Sequence, residues 1–562
     1  MTAPRVLYRV RIPEPQTHLV EVELTVPAAD PLEVAMPAWT PGSYLVRDYA
    51  RHVRDLAATQ NGRALHARKD DKQTWRVTGA AAPGDPVVVR YRVYAHELTV
   101  RTAHVDEEHA FLHPAAVLLY APAHAAEPCA VEIEVPPGLA AATGLAEEPA
   151  AARDTRRFVA RNADELYDAP IEISAFERLD FAAAGVTHHL VVCGRARFDR
   201  AQLVVDVKAF VDQTIALFGT VPYGAYTFIV HFTPGGSGGL EHHNSSAILA
   251  NPYVFYPRKA YEDFLELLCH EHFHAWNVKR IRPAALGPFD YRRENYTRSL
   301  WVMEGVTSYY DRLLLRRANL LPAKRYLARL GEELAKLHQV PGRFVQSLEE
   351  ASFDAWIKFY KPDESTVNST VSYYLKGGLV ALALDLEIRS RTGGARSLDD
   401  VMRLLFARFG AAPAGFPDET VQALCEEATG LDLSPFFDDF VRGRAEVDLG
   451  PTLAGFGLRL TGRWEEEPEP AHGAVTTPAP AAAGAAPGAA PAPVAAPPAP
   501  PPPRPPAWLG ATTKAEHGRA VVAGVLTGAP GERHGLAPGD EIVALDGFRV
   551  DDRALRERVA AR

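Results

Sequence analysis

The sequence changes its hydrophobic period once, near residue 175, and that change divides the chain. Up to about Ala175, apolar and polar residues alternate, as in Val20-Glu21-Val22-Glu23-Leu24-Thr25-Val26, Val89-Arg90-Tyr91-Arg92-Val93 and Val131-Glu132-Ile133-Glu134-Val135. Successive strand residues face opposite sides, so a period of two gives each strand one apolar face, and turn signals such as Asn61-Gly62 separate the strands. An N-terminal antiparallel β-sheet domain is expected over residues 1–178, with support as its role. From Asp199 the spacing becomes helical. Asp199 is placed to cap a helix running toward Phe218, and helices follow around His270, Glu304, Leu379 and Val401. Residues 179–450 are read as a mainly helical domain, so the fold class is multidomain α+β. At 562 residues the chain has room for several cores.

Beyond Gly450 the strand-like stretch Gly455-Phe456-Gly457-Leu458-Arg459-Leu460 leads into residues 468–506, where 15 prolines and 14 alanines fill 39 positions. Such a segment builds no core and reads as an extended, partly polyproline spacer. After it, Trp508-Leu509-Gly510-Ala511 and the run from Ala529 through Pro538-Gly539-Asp540-Glu541-Ile542 to Gly547 resemble a PDZ domain. A PDZ-like third domain, 451–562, is thus expected to be interrupted by the spacer. Its last helix is still unfinished at Arg562, so a closing strand is expected to be missing. Two roles stay open: backbone amides of Leu509-Gly510-Ala511 holding a peptide carboxylate, or a packed accessory domain without a ligand.

The chemistry is concentrated in the helical part. His270-Glu271-His272-Phe273-His274 is an H-E-x-x-H pattern ending the apolar run Phe264-Leu265-Glu266-Leu267-Leu268-Cys269. Residues four apart share a helix face, so His270 and His274 can aim at one ion while Glu271 serves as base. Glu304 follows 30 residues after His274, inside the apolar stretch Leu300 to Val306. A His, His, Glu set supplies the three protein ligands of a catalytic zinc site and leaves a position for water. One zinc per chain is expected. Asp311, seven residues after Glu304, is a further acid that could hold an amine or orient a ligand.

Two other segments bear on the substrate. Thr233-Pro234-Gly235-Gly236-Ser237-Gly238-Gly239-Leu240-Glu241-His242-His243-Asn244 follows the strand-like Tyr226 to Phe232. Its glycines, Gly238 and Gly239 among them, let another backbone approach closely, as an extended peptide does when it adds to a strand edge. Glu241 would then face the substrate's first residue and hold its amine, which fixes cleavage one residue in. His242 and His243 are read as loop histidines and not as ligands. In Ser372-Tyr373-Tyr374-Leu375-Lys376-Gly377-Gly378, either Tyr373 or Tyr374 can present a hydroxyl to a developing oxyanion.

The order G-G-x-E-H, H-E-x-x-H-x-W-N, L-W-x-x-E-G-x-T-x-Y and Y-Y-x-K-G is similar to the glycyl aminopeptidase family of zinc metallopeptidases. The resemblance extends to Pro37-Ala38-Trp39-Thr40-Pro41-Gly42-Ser43-Tyr44, to Arg101-Thr102-Ala103-His104-Val105-Asp106 and to the PDZ-like segment, nearly the whole chain. It implies a thermolysin-like catalytic domain with a distal glutamate ligand, shared with the alanyl aminopeptidases and leukotriene hydrolase. It also selects Tyr374 over Tyr373, assigns Glu241 to the substrate amine, and suggests a small first residue, glycine or alanine. His242 stands where many of these relatives have asparagine. Two rival functions share part of the pattern: a zinc endopeptidase, which would not need Glu241, and a non-catalytic peptide-binding scaffold, which would have no use for Glu271.

Charge and cysteines narrow the partners. With 60 basic and 70 acidic residues the net charge is −10, without a basic block, so nucleic acid is not an expected partner. Cys129, Cys193, Cys269 and Cys425 are scattered and form no C-x-x-C pair, which points to a reducing compartment. The first residues lack the apolar run of a signal peptide, and Asp385 cuts the apolar helix near Leu384 before it spans a bilayer. A cytoplasmic protein acting on peptides with a free amino terminus is expected, apart from membranes and with no indication of its oligomeric state.

Overall fold

The computed structural model describes residues 5–82, 84–150, 152–412, 414–462 and 507–560. The described residues divide into two compact units, one up to Leu458 and one from Arg459 onward. The proline- and alanine-rich spacer lies outside the described residues. No helix of the described residues is long and apolar enough to cross a membrane.

The period-two segments fold as strands. In Leu19–Val26 the residues Val20, Val22, Leu24 and Val26 are buried, and in Val87–Tyr94 the residues Val87, Val89, Tyr91 and Val93 are. Both belong to a ten-stranded sheet that runs, edge to edge, Ala146–Glu148, Thr155–Ala160, Cys129–Glu134, Val6–Arg11, Leu19–Val26, Val87–Tyr94, Val53–Gln60, Arg63–Lys69, Thr74–Thr78, Leu32–Ala35. Asn61 and Gly62, both with positive φ (51° and 78°), make the hairpin turn between Val53–Gln60 and Arg63–Lys69. The sheet is antiparallel except that Val6–Arg11 pairs parallel with Cys129–Glu134, a long-range pairing that alternation alone does not specify. A second sheet of four strands, Ala140–Thr143, Ile171–Ser174, His109–Leu112 and His104–Val105, continues the domain.

The helical part opens with a sheet of its own, mixed in direction: Glu177–Ala183, Val186–Gly194, Ala225–Phe232, Ser245–Ala250 and, at the edge, Ser237–Glu241. The glycine-rich segment is therefore itself an edge strand. Helix Arg200–Phe218 begins where Asp199 accepts a hydrogen bond from the Gln202 N–H and ends at left-handed Gly219. Helix Leu375–Arg391 runs through the centre, with every residue from Lys376 to Asp385 buried. Each fully buried leucine there contributes about 1.5–3 kcal/mol relative to exposure.

One expected element is absent. Residues 455–460 are not a strand: helix Gly450–Gly455 leads into them, Gly457 has φ +75°, and Phe456, Leu458 and Leu460 are exposed with no partner edge among the described residues. Alternation gives a strand only where another strand pairs with it. In the second unit, Ala511–Glu516 pairs with Arg519–Val525, which also pairs with Glu541–Ile542. A two-stranded ribbon, Ala544–Leu545 with Phe548–Arg549, and helix Asp552–Ala560 follow around Ala520, Val550 and Leu555.

Candidate active site

Helix Arg258–Phe273 buries Phe264, Leu265, Leu268 and Phe273 and ends inside the H-E-x-x-H motif. His274 is its C-terminal cap and keeps helical dihedrals (φ −60°, ψ −19°), so it stays on the face of His270 one turn earlier. Glu304 comes from the turn Trp301–Gly305, which is π-helical and runs into the α-helix Val306–Arg317. The sequence indicated a helix here but not its wider turn, a local form that concentrates at functional sites. Asn277 anchors the turn. Its side-chain amide donates to the carbonyls of Val302 (2.8 Å) and Met303 (3.1 Å).

The three side chains converge. Glu304 Oε2 lies 3.4 Å from His270 Nε2 and 3.2 Å from His274 Nε2, and the donor atoms of all three fall within 4.8 Å of one another. The other ring nitrogens are already engaged: His270 Nδ1 with Asp311 Oδ2 at 3.0 Å, His274 Nδ1 with the Asn277 carbonyl at 2.7 Å. Those bonds turn both Nε2 atoms toward Glu304 and fix the tautomer a metal ligand needs. Asp311 thus stands behind His270, in the orienting role and not beside an amine. Burial opposes charge on Glu304, yet His274 and His270 hold its carboxyl low. Two imidazoles and a carboxylate, with their outer contacts satisfied, fit a divalent ion of zinc's preference.

Glu271 is buried beside this set, and burial pushes its carboxyl up against the pull of His270 and His274. The edge strand lies on it: a Cβ added to Gly239 would come 2.1 Å from Glu271 Oε1. Gly238, its neighbour, has φ +110°, a conformation that favours glycine. Glu241 ends the same strand and is buried, and its carboxylate, Glu271 and His274 also bring ligand atoms within 4.8 Å.

Glu241 shares Lys279 with a second buried carboxylate, Asp168. Lys279 Nζ is 2.8 Å from Asp168 Oδ1 and 3.9 Å from Glu241 Oε1. Burial opposes charge on Asp168, but Lys279 and His242 hold its carboxyl far below the usual range. His242 gives Nδ1 to Asp168 at 3.1 Å and the His243 N–H donates to Asp168 Oδ2 at 2.9 Å, so both histidines brace the loop and neither joins the ligand set. Lys279 is thus drawn to Asp168, and Glu241 Oε1 is buried with no hydrogen-bond partner among the described residues. Gly42, from the Pro37-to-Tyr44 segment, packs on it: an added Cβ would lie 2.6 Å from each carboxylate oxygen.

The His270, His274 and Glu304 set, Glu271, Glu241, Gly239 and Gly42 share a cleft of about 630 Å³ that is also lined by Arg101, Phe359, Tyr360 and Tyr374. Tyr374 stacks toward His270, ring centroids 6.3 Å apart, while Tyr373 is fully buried against Phe359 and does not line the cleft. Lys279, Phe359 and Tyr360 were not singled out by the sequence. Phe359 and Tyr360 sit in a segment without regular period, and Lys279 is five residues past the motif with nothing local to mark it.

Residues 7–175 match the family model described as the Peptidase M61 N-terminal domain, and residues 263–380 match the M61 glycyl aminopeptidase model. The structure is similar to that of an aminopeptidase N family protein from Idiomarina loihiensis, with 31% sequence identity and a TM-score of 0.88 over 99% of this chain and 92% of that one. An M1 zinc metallopeptidase from Deinococcus radiodurans shares the fold with a TM-score of 0.51 and 17% identity, over 79% of this chain and 94% of that one. No curated protein sequence matches.

Proposed function

Because the chain belongs to the M61 glycyl aminopeptidase family, a family of peptide hydrolases, we propose that it is a zinc aminopeptidase releasing a small first residue, glycine or alanine, from peptides with a free amino terminus. The observation that carries this reading is the convergence of His270, His274 and Glu304 beside two further buried carboxylates, Glu271 and Glu241. His270, His274 and Glu304 would hold one zinc ion. When bound, zinc polarises the scissile carbonyl and makes water more acidic.

The remaining roles belong to the chain itself. Glu271 takes the proton of the attacking water and returns it to the leaving amine; burial, which raises its basicity, suits that exchange. Tyr374, on the cleft wall, donates its hydroxyl to the oxyanion. Glu241 holds the substrate ammonium through a carboxylate that Lys279, bound closer to Asp168, leaves without a hydrogen bond at Oε1 among the described residues. Gly238 and Gly239 let the substrate backbone lie along the edge strand. Gly42 closing on Glu241 supports an exopeptidase over an endopeptidase, since a chain continuing past the amine would meet that contact. The preference for glycine or alanine rests on the family description.

The proposed domains remain 1–178, 179–450 and a PDZ-like 451–562, the last an accessory module or a holder of peptide carboxylates through Leu509-Gly510-Ala511. A cytoplasmic location is supported by four cysteines that are all free and buried.

The experiment that tests the reading is Glu271→Gln. It should keep bound zinc while lowering turnover at least about 100-fold, within the span of general-base contributions. Full turnover in that variant would remove Glu271 from the mechanism.

A further inference from the structure

A second set of metal-binding side chains lies apart from the catalytic one. Strand Ile171–Ser174 is wholly buried, and one of its four residues is Glu172, whose carboxylate has no exposed surface. A carboxylate is buried this way only with cationic partners or a metal. Its Oε2 meets His231 Nε2 at 2.9 Å. Its Oε1 faces His109 Nδ1 at 3.7 Å, too far for a hydrogen bond, and both atoms are buried without a hydrogen-bond partner among the described residues. Donor atoms of His109, Glu172 and His231 all lie within 4.8 Å of one another.

Asp106 Oδ2 stands 3.9 Å from His109 Nε2, a neighbouring negative charge and not the hydrogen-bonded partner that Asp311 is to His270. His109 is partly exposed, which gives an ion a route in. Cys193, directly opposite His231 in the parallel register, is buried next to the cluster, where burial keeps its thiol protonated.

The three residues come from two sheets. His109 and Glu172 sit on neighbouring strands of the four-stranded N-terminal sheet, and His231 is on Ala225–Phe232, the central strand of the sheet that carries the glycine edge. We propose that His109, Glu172 and His231 bind a divalent transition-metal ion that staples the N-terminal sheet to the central strand of the catalytic sheet. Two imidazoles and one carboxylate suit zinc or a metal of similar preference, while magnesium and calcium favour oxygen-only sites. The ion is structural: none of its ligands lines the cleft.

Zinc titration of the full chain, first stripped with a chelator, tests this independently of peptidase activity. Bound metal is counted and the melting temperature followed. Wild type should take two equivalents. Glu304→Gln, which weakens the catalytic set, should still take one tightly and gain melting temperature from it. Adding His109→Asn to that variant should weaken this equivalent by at least the roughly 100-fold upper range seen for loss of an outer partner, since a direct ligand is removed. If His109→Asn fails to fold, Glu172→Gln, of equal volume, serves instead, and the zinc-induced rise in melting temperature of Glu304→Gln alone decides. A single equivalent in wild type with none in Glu304→Gln would overturn the proposal. So would an unchanged second equivalent in the double variant. Failure of the catalytic reading looks different: wild type and Glu304→Gln would then bind the same single ion.

Discussion

Gly305 and Gly377 meet backbone to backbone: a Cβ added to Gly305 would lie 2.6 Å from the Gly377 Cα. This contact seats the turn bearing Glu304 directly on the helix that begins at Leu375. Glu304 and Tyr374, each one position before or three before a contact glycine, reach the same cleft because nothing separates the two backbones.

Gly305→Ala should therefore spread the two elements. The expected loss of stability is about 1–3 kcal/mol, typical of overpacking, accompanied by weaker metal binding as Glu304 is displaced. Denaturant unfolding and metal titration on the same preparation measure both. An alanine variant with unchanged stability and unchanged metal affinity would contradict the packing described here.

The two adjacent tyrosines should separate cleanly. Tyr374 lines the cleft, whereas Tyr373 is buried against Phe359. Tyr374→Phe should lower kcat by about 100- to 1,000-fold, the usual cost of one oxyanion donor. Tyr373→Phe should leave kcat within a few-fold of wild type. The reverse order in steady-state kinetics would transfer the oxyanion role to Tyr373.

Lys376 gives a prediction in pH. It is buried, its Nζ has no hydrogen-bond partner among the described residues, and burial, with Arg444 and Arg343 nearby, pushes its ammonium down to about 8. The unfolded value is about 10.4, so the unfolded chain binds the proton more tightly. Below pH 8 the folded state carries the full penalty of a buried charge, and the penalty is relieved as pH rises from 8 toward 10.4. Lys376→Met should stabilise the protein by at most about 3 kcal/mol at pH 7, at 1.36 kcal/mol per pKa unit, and by clearly less at pH 10. Chemical denaturation at the two pH values checks this; an equal gain at both would refute the shifted lysine.

Much of this was legible from local pattern. Period two found the strands around Val20, Val89 and Val131, the Asp199 cap found its helix, and the spacing of His270, His274 and Glu304 picked out three residues that meet. What escaped depends on contacts between distant segments. The parallel pairing of Val6–Arg11 with Cys129–Glu134, the π-helical turn under Glu304, and the Lys279–Asp168 pair beside Glu241 leave no periodic trace. Residues 455–460 show the opposite failure: they alternate like a strand but find no edge to join. In the sequence Gly42 is only part of a motif, and its contact with Glu241 emerges once the N-terminal domain is folded against the cleft.

The central claim is that a metal centre and the Glu241 amine anchor act together on a free amino terminus. Its most direct test is hydrolysis of a glycine- or alanine-initiated peptide beside its amino-acetylated twin, followed by mass spectrometry with and without a zinc chelator. Release of a single residue is expected from the free-amine peptide only, abolished by the chelator and restored by zinc. Cleavage of the acetylated peptide at a comparable rate would contradict the amine anchor, and cleavage that survives complete metal removal would contradict the metal centre.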